Sequence, residues 1–415
     1  MKGFAGHSMS KTIAVVATMD TKGAEADFLR EQLKSLGAEA CLIDMGVVGE
    51  AKTSVDYSRE QVFAAAGEDY AKLMEAPTRQ AASPIVIAGV AKILQQDIES
   101  GKVHAVVGLG GTQGTPNCAH IFQQLPYGFP KIILSTIASG DTSGLMDIKD
   151  ITMMPSVADI LGLNPFSRKI LSNLAGAAFG MATCEPPKVE SQTKTTIGMT
   201  NLGVLTEGSI HAIELFEKRG YEVITFHAVG TGGRAMEQMM KEGLITAVFD
   251  YALGEIADEV YECLRAANEH RLTVAAELGL PQVICPGGAE HLGIWVHKPD
   301  FVPEKYQKHQ YVFHNPFVFV PRLTGDEIRP VAETICDRLK NVKDKCVFMV
   351  PEKGVSRYSI EGGSLRDPES DKVFFDALEK GMPSTIDFQR HDNAAEDTQF
   401  VEHAVNSLIE MIEKG

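Results

Sequence analysis

Between Val103 and Thr115 the chain reads V-H-A-V-V-G-L-G-G-T-Q-G-T, an apolar run that breaks into Gly108, Gly110, Gly111 and Gly114. The run predicts a buried strand, and the glycines let the backbone turn tightly and gather N–H groups at one place. Thr115 and Pro116 predict the cap and first residue of a helix that follows. Strand, glycine turn and helix start in succession favour negative charge at the turn, because the first N–H groups of a helix lack partners and the helix dipole adds to their field. On this pattern the chain reads as a nucleotide binder built on an α/β sheet.

The surrounding pattern agrees with such a sheet. Thr12–Ala17, Ala40–Ile43, Val103–Val107 and Lys131–Leu134 read as strands, and Gly23–Leu36 and Pro84–Glu99 as helices. This βαβα order predicts a parallel sheet with helices on both faces. Thr183–Lys194, polar and with two prolines, reads as a linker, and Thr195–Met199 as the first strand beyond it. The second half then echoes the first. Leu36–Ala40 leading to Asp44 matches Arg219–Val223 leading to His227, Gly101–Val107 matches Gly243–Phe249, and Gly128–Ile133 matches Gly279–Ile284. Three echoes in one order predict an internal duplication: two doubly wound Rossmann-like domains, 1–190 and 191–415, with a cleft between the carboxyl ends of their strands.

At 415 residues the chain is long enough for two such cores without metal or disulfide staples. Its formal net charge of −16 argues against a broad nucleic-acid or anionic-membrane surface, and no apolar stretch is long enough to span a bilayer. The seven cysteines are scattered, odd in number and lack a C-x-x-C pair, which fits reduced thiols in the cytoplasm. Residues 1–10 lack the hydrophobic stretch of a signal peptide, and Met9 offers a second start.

Three loops of the first half are placed to carry chemistry. After the first strand, Thr21 can cap the next helix, Lys22 can neutralise phosphate and Asp20 can hold a metal or a hydroxyl. The glycine turn supplies Gly110, Gly111, Thr112, Gln113, Gly114 and Thr115; it fits neither G-x-x-x-x-G-K-[ST] nor G-x-G-x-x-G. Ser135–Ser143 brings hydroxyls, a glycine and a carboxylate, with Thr136, Ser139, Gly140, Asp141 and Thr142 suited to ribose, phosphate or hydrated Mg²⁺. Asp44 is a lesser candidate for ribose hydroxyls. In the second half Gly230, Thr231, Gly232, Gly233 and Arg234 form an anion-facing turn. Gly230, Gly232 and Ala235, with Asp250 twenty residues beyond Gly230, also fit a relaxed dinucleotide fingerprint. Glu290 and His291 offer an acid–base pair. No H-E-x-x-H or G-x-S-x-G motif is present.

The segments T-M-D-T-K-G (18–23), G-L-G-G-T-Q-G-T (108–115), G-F-P-K-I-I-L-S-T-I-A-S-G-D (128–141) and M-M-P-S-V-A-D-I-L-G-L-N (153–164) occur in order. F-H-A-V-G-T-G-G-R-A-M-E (226–237) and P-G-G-A-E-H-L-G (286–293) follow. Together they resemble the bacterial and plant proteins related to the ATP-binding domain of the tomato mosaic virus resistance protein. The resemblance implies two Rossmann-like domains, a homodimer, and ATP with Mg²⁺ as ligand. In the plant relative it implies a module that restrains viral replication by binding a viral protein, a role that fold alone does not transmit.

The leading reading is therefore an ATP- and Mg²⁺-binding protein. Its phosphates would lie on residues 110–115 beside Lys22, with the second domain closing through the Gly230–Arg234 turn. No residue is assigned as catalytic or as the metal ligand. The alternatives are a nucleotide-sugar transferase or epimerase, a NAD(P)-dependent enzyme using Gly230, Gly232, Ala235 and Asp250, and a dimeric scaffold.

Overall fold

The computed structural model describes residues 10–75, 79–185 and 195–414, so Met9 and most of the Thr183–Lys194 segment lie outside the described residues. The chain divides into two compact units, Met1–Lys188 and Val189–Gly415. Both are α/β with parallel main sheets, as the alternating pattern predicts.

In unit one the order is β1 (Thr12–Ala17), α1 (Met19–Ser35), β2 (Glu39–Asp44), α2 (Arg59–Ala66), α3 (Tyr70–Met74) and α4 (Arg79–Glu99). Then come β3 (Ala105–Gly110), α5 (Gly114–Phe122), β4 (Lys131–Ser135), α6 (Ser143–Met146), β5 (Thr152–Pro155) and α7 (Pro165–Thr183). The strands are parallel in the order β2-β1-β3-β4-β5. Successive side chains leave a strand on opposite faces. Ala14, Val16, Ile43 and Val106 therefore pack with α2, α4 and α5, while Ile13, Val15, Leu42 and Val107 pack with α1 and α7. Every residue of β3 is buried, which accounts for its uncharged A-V-V-G-L-G.

Unit two runs β6 (Thr196–Asn201), α8 (Thr206–Lys218), β7 (Glu222–His227), α9 (Thr231–Lys241), β8 (Ala247–Ala252), α10 (Gly254–Val260), α11 (Val274–Leu278) and β9 (Gln282–Gly287). It continues with β10 (Ile294–Trp295), β11 (Tyr311–Asn315), β12 (Val318–Pro321), α12 (Gly325–Leu339), β13 (Cys346–Pro351), α13 (Pro368–Gly381), β14 (Asp387–His391) and α14 (Thr398–Lys414). Its main sheet has the order β14-β13-β9-β8-β6-β7, and β10-β12-β11 form a small antiparallel sheet. The rank β7-β6-β8-β9 repeats β2-β1-β3-β4, and the three sequence echoes fall on the matching strands. Among the described residues no helix is long and apolar enough to cross a membrane. All seven cysteines are free thiols.

Two helix starts differ from the sequence expectation. α1 begins at Met19 with Thr18 as its N-cap, rather than at Gly23 behind Thr21. The Met19 N–H is taken at 3.0 Å by Asp44 Oδ1 from the end of β2, so a carboxylate of the neighbouring strand lets the helix begin one turn earlier. α5 begins at Gly114 with Gln113 at the N-cap, rather than behind Thr115. Thr115 is buried, and its hydroxyl lies 2.7 Å from Ser135 Oγ instead of capping a helix.

Close packing explains two of the four glycines around this turn. A Cβ on Gly108 would lie 2.7 Å from Cys118 Sγ, and one on Gly110 would lie 2.7 Å from Thr115 Cα. At Gly111 the nearest atom, Thr136 Oγ1, is 3.8 Å away. Gly110→Ala is expected to cost about 1–3 kcal/mol of stability through overpacking. Gly111→Ala should stay within about 0.5 kcal/mol of the parent. Urea unfolding of the two variants side by side checks this, and equal midpoints would refute the packing role of Gly110.

Candidate functional site

The sheet of unit one reverses its order between β1 and β3, the kind of position where α/β sheets hold ligands beyond their carboxyl ends. A cavity of about 330 Å³ lies there. Thr18, Asp20, Thr21 and Lys22 line it after β1, Met45–Val48 after β2, and Gly111–Gly114 with Asn117 after β3. The loops carrying Asp20, Thr21 and Lys22 and those carrying Gly111, Thr112, Gln113 and Gly114 thus come together, as the sequence reading expects.

The N–H groups of Gly111, Thr112, Gln113 and Gly114 donate no hydrogen bond to any described residue. Gln113 contributes no side-chain cap to α5 either. Lys22 and Asp20 are the only charged side chains lining the cavity among the described residues. Lys22 sits at a break in α1 (φ −120°, ψ 17°), and its Nζ donates to the Ile160 carbonyl at 2.8 Å, which leaves two ammonium protons. Asp20 packs against the β2 loop, where a Cβ on Gly49 would come within 2.9 Å of its carboxylate.

Other sequence candidates sit elsewhere. Thr136 borders Gly111, but Ser139, Gly140, Asp141 and Thr142 do not line the cavity. Asp141 accepts from the N–H and hydroxyl of Ser143 in an exposed turn, and these bonds lower its pKa. Gly110 and Thr115 are buried in the packing of α5 on β3 and β4. Asp44, expected near a ribose, is closed off. Its Oδ1 takes the N–H groups of Met19 and Gly46, and its Oδ2 pairs with Arg59 at 3.1 Å.

The glycine turn of unit two is closed in the same manner. Gly230 N and Gly233 N donate to Glu255 Oε1 at 2.6 and 3.1 Å, while Glu255 Oε2 accepts from Arg271 Nε at 2.8 Å. Arg271 is fully buried and also grips Asp250 with both terminal nitrogens, at 2.5 and 2.7 Å. Gly232 and Gly233 are glycines because a Cβ would strike the His227 carbonyl group or the Arg271 side chain. A dinucleotide on Gly230, Gly232, Ala235 and Asp250 would find the Gly230 N–H, the neighbouring Gly233 N–H and the Asp250 carboxylate already bonded. The fingerprint is thus met by residues that serve the protein's own packing. Thr231 and Arg234 lie in the first turn of α9.

Sequence reasoning missed Arg59 and Arg271, which decide these closures from 15 and 21 residues away from Asp44 and Asp250. It also missed Asn117 and the Met45–Val48 wall. No local spacing marks such pairs; the one available signal was an excess of acids and arginines in segments otherwise apolar.

The site belongs to a chain with clear relatives. Residues 11–187 match the N-terminal domain, and residues 194–412 the C-terminal domain, of Uncharacterised protein family UPF0261. The chain belongs to that family. A UPF0261 protein of Clostridium tetani is 35% identical over 407 residues, covering 98% of this chain and all of that one. The tomato protein called ToMV susceptible protein tm-1(GCR26) is 30% identical over 430 residues, covering 98% of this chain and 57% of its own length. A UDP-N-acetylglucosamine 2-epimerase from Rickettsia bellii superimposes with a TM-score of 0.21 at 10% identity, over 66% of this chain and 78% of that one. A likeness of that size decides nothing.

Burial raises the carboxyl of Glu237, beside Arg271, from 4.5 to about 7, although the guanidinium pulls the other way. The folded state keeps this proton where the unfolded chain has lost it. The group therefore favours folding fully below pH 4.5, and that contribution fades as pH rises through about 7. Glu237→Gln retains an acceptor for the Leu272 N–H and removes the titration. Relative to the parent, the variant should gain about 3 kcal/mol between roughly pH 4.5 and 8, read from urea unfolding across that range.

Proposed function

We propose that unit one is a nucleotide-binding module whose ligand is ATP carried with Mg²⁺. The chief support is the run of four unpaired amides, Gly111 to Gly114, at the uncapped start of α5 beside a cavity. At α1 and α9 the equivalent need is met by Asp44 and Glu255, each held by an arginine. A phosphate group supplies to α5 what those carboxylates supply to their helices. The cavity volume is at the lower end of the range for small-molecule sites. Met45, Val47 and Val48 offer an apolar wall for a base, and Thr21 and Asn117 offer polar partners for the sugar.

The residues present also suit Mg²⁺. Among the described residues no group of three His, Cys, Asp or Glu forms a metal cage. Mg²⁺ bound with a nucleotide needs none, because it draws its oxygens from phosphates, water and one or two carboxylates. Asp20 is the carboxylate available, and Mg²⁺ when bound would offset phosphate charge together with Lys22. The resemblance to proteins related to an ATP-binding domain supports the same ligand, and carries with it a homodimer that light scattering of the purified protein would reveal.

Thermal unfolding with ATP, ADP, UDP-sugars and NAD(P), each with and without Mg²⁺, tests the proposal. ATP–Mg²⁺ at about 100 times its Kd should stabilise the protein by about 2.7 kcal/mol. Gly111→Val, whose Cβ meets no atom closer than Thr136 Oγ1 at 3.8 Å, should keep the fold and lose that stabilisation. A response to NAD(P) alone, or an unchanged ATP response in the variant, refutes the reading. A response to UDP-sugars in preference to ATP would move it to the nucleotide-sugar class.

A further inference from the structure

Unit two contains a cavity of about 310 Å³ that the nucleotide reading does not use. It lies beyond the carboxyl ends of β6, β7, β9 and β13, again where α/β sheets place ligands. Its walls are aliphatic: Leu202, Val204, Val229, Leu264, Val318 and Val320. Its polar groups are an arginine, three imidazoles and a phenol, with no acidic side chain among the lining residues.

Arg265 is built into this cavity. Its Nε and Nη2 donate to the two oxygens of Asp258 at 3.0 and 2.8 Å, and Nη2 also donates to the His291 carbonyl at 2.9 Å. Gly254 and Gly293 make room for it, since a Cβ on either would come within 3.0 Å of the guanidinium. The remaining nitrogen, Nη1, meets only His291 Nε2, at 3.4 Å. A guanidinium carries five N–H groups, so one on Nη1 has no partner among the described residues. His291 is almost fully buried, and its Nδ1 makes no hydrogen bond although Glu290 Oε1 lies 3.3 Å away. Glu290 in turn accepts from Ser356, and the Tyr358 ring meets His291 edge to face. Polar groups fixed this firmly, with donor capacity left over, sit on one side of an otherwise apolar space.

We propose that this cavity binds a small organic carboxylate with an apolar body. Its carboxylate lies against Arg265 and its body against the aliphatic wall. A charge-assisted bond to a guanidinium favours a carboxylate over a neutral amide of the same shape, and no lining acid opposes it. An amine of that shape would find no acidic side chain among the lining residues to pair with. The site is independent of the nucleotide reading, because every lining residue belongs to unit two.

The single tryptophan of the chain, Trp295, provides the readout. It pairs with Val318 across β10 and β12, the strand that also carries Val320 of the wall. The full chain is titrated with phenylacetate, phenylacetamide and phenethylamine, followed by Trp295 fluorescence and by calorimetry. Phenylacetate should bind, and the amide and amine should bind at least about tenfold more weakly. Gly203 lines the cavity, and a Cβ there meets nothing within 4 Å, so Gly203→Leu should fold normally and abolish the phenylacetate response. Gly111→Val should leave it unchanged. Three results overturn the proposal: equal binding of the three probes, silence of all three in both readouts up to about 10 mM, or full binding by Gly203→Leu.

Discussion

The start of a helix presents N–H groups that need an acceptor and favour a negative one, and at the carboxyl ends of both sheets a buried carboxylate meets part of that need. At α1 the partner is Asp44, held by Arg59; at α9 it is Glu255, held by Arg271. Each carboxylate is buried, and a buried carboxylate is tolerable only when paired and hydrogen-bonded. The arginine is therefore part of the cap. Arg271 shows the cost of such an arrangement, since it gathers Asp250 and Glu255 directly and Glu237 at 3.9 Å, all out of water. Burial, reinforced by the neighbouring Asp250 and Glu255, raises the outermost acid, Glu237, to about 7 against the pull of Arg271.

At α5 no such carboxylate is present among the described residues, although its preceding turn has the same glycine character. Packing alone accounts for Gly108 and Gly110, which lie under the helix, but not for Gly111, which borders open space. A glycine that no protein atom requires, among amides that no protein acceptor satisfies, leaves room and donors for an acceptor from outside, as the proposed nucleotide site requires.

The elements themselves were legible because buried parallel strands write themselves as predominantly apolar runs. The apolar run predicts β1 to the residue, Thr12–Ala17, and β4 one residue short, since the strand continues to Ser135. The helix starts were less legible. Thr115 looked like a cap by residue type, but the absence of a Cβ at Gly110 lets α5 begin before it and draws its hydroxyl toward Ser135. The relaxed fingerprint at Gly230 misled for a related reason. Glycines that let a backbone approach a pyrophosphate also let it approach a carboxylate, and only the fold reveals that Glu255 sits there. Arg265 gave no local sign at all, since its partners Asp258, His291 and Gly293 come from two different connections of the sheet.

A net charge of −16 does not conflict with anionic ligands in either unit. Surface carboxylates farther than the screening length of about 8–10 Å at moderate salt contribute little to the potential inside a recess. What a phosphate or carboxylate meets is set by the groups within hydrogen-bond reach. In unit one these are backbone dipoles with one lysine and one carboxylate, Lys22 and Asp20, and in unit two a guanidinium paired with Asp258. The first arrangement suits a strongly hydrated, multiply charged group that many donors can share. The second, with one spare N–H and aliphatic walls, suits a single carboxylate on an apolar body. In both proposals the ligand class rests on how many donors each site leaves unpaired, not on the overall charge of the chain.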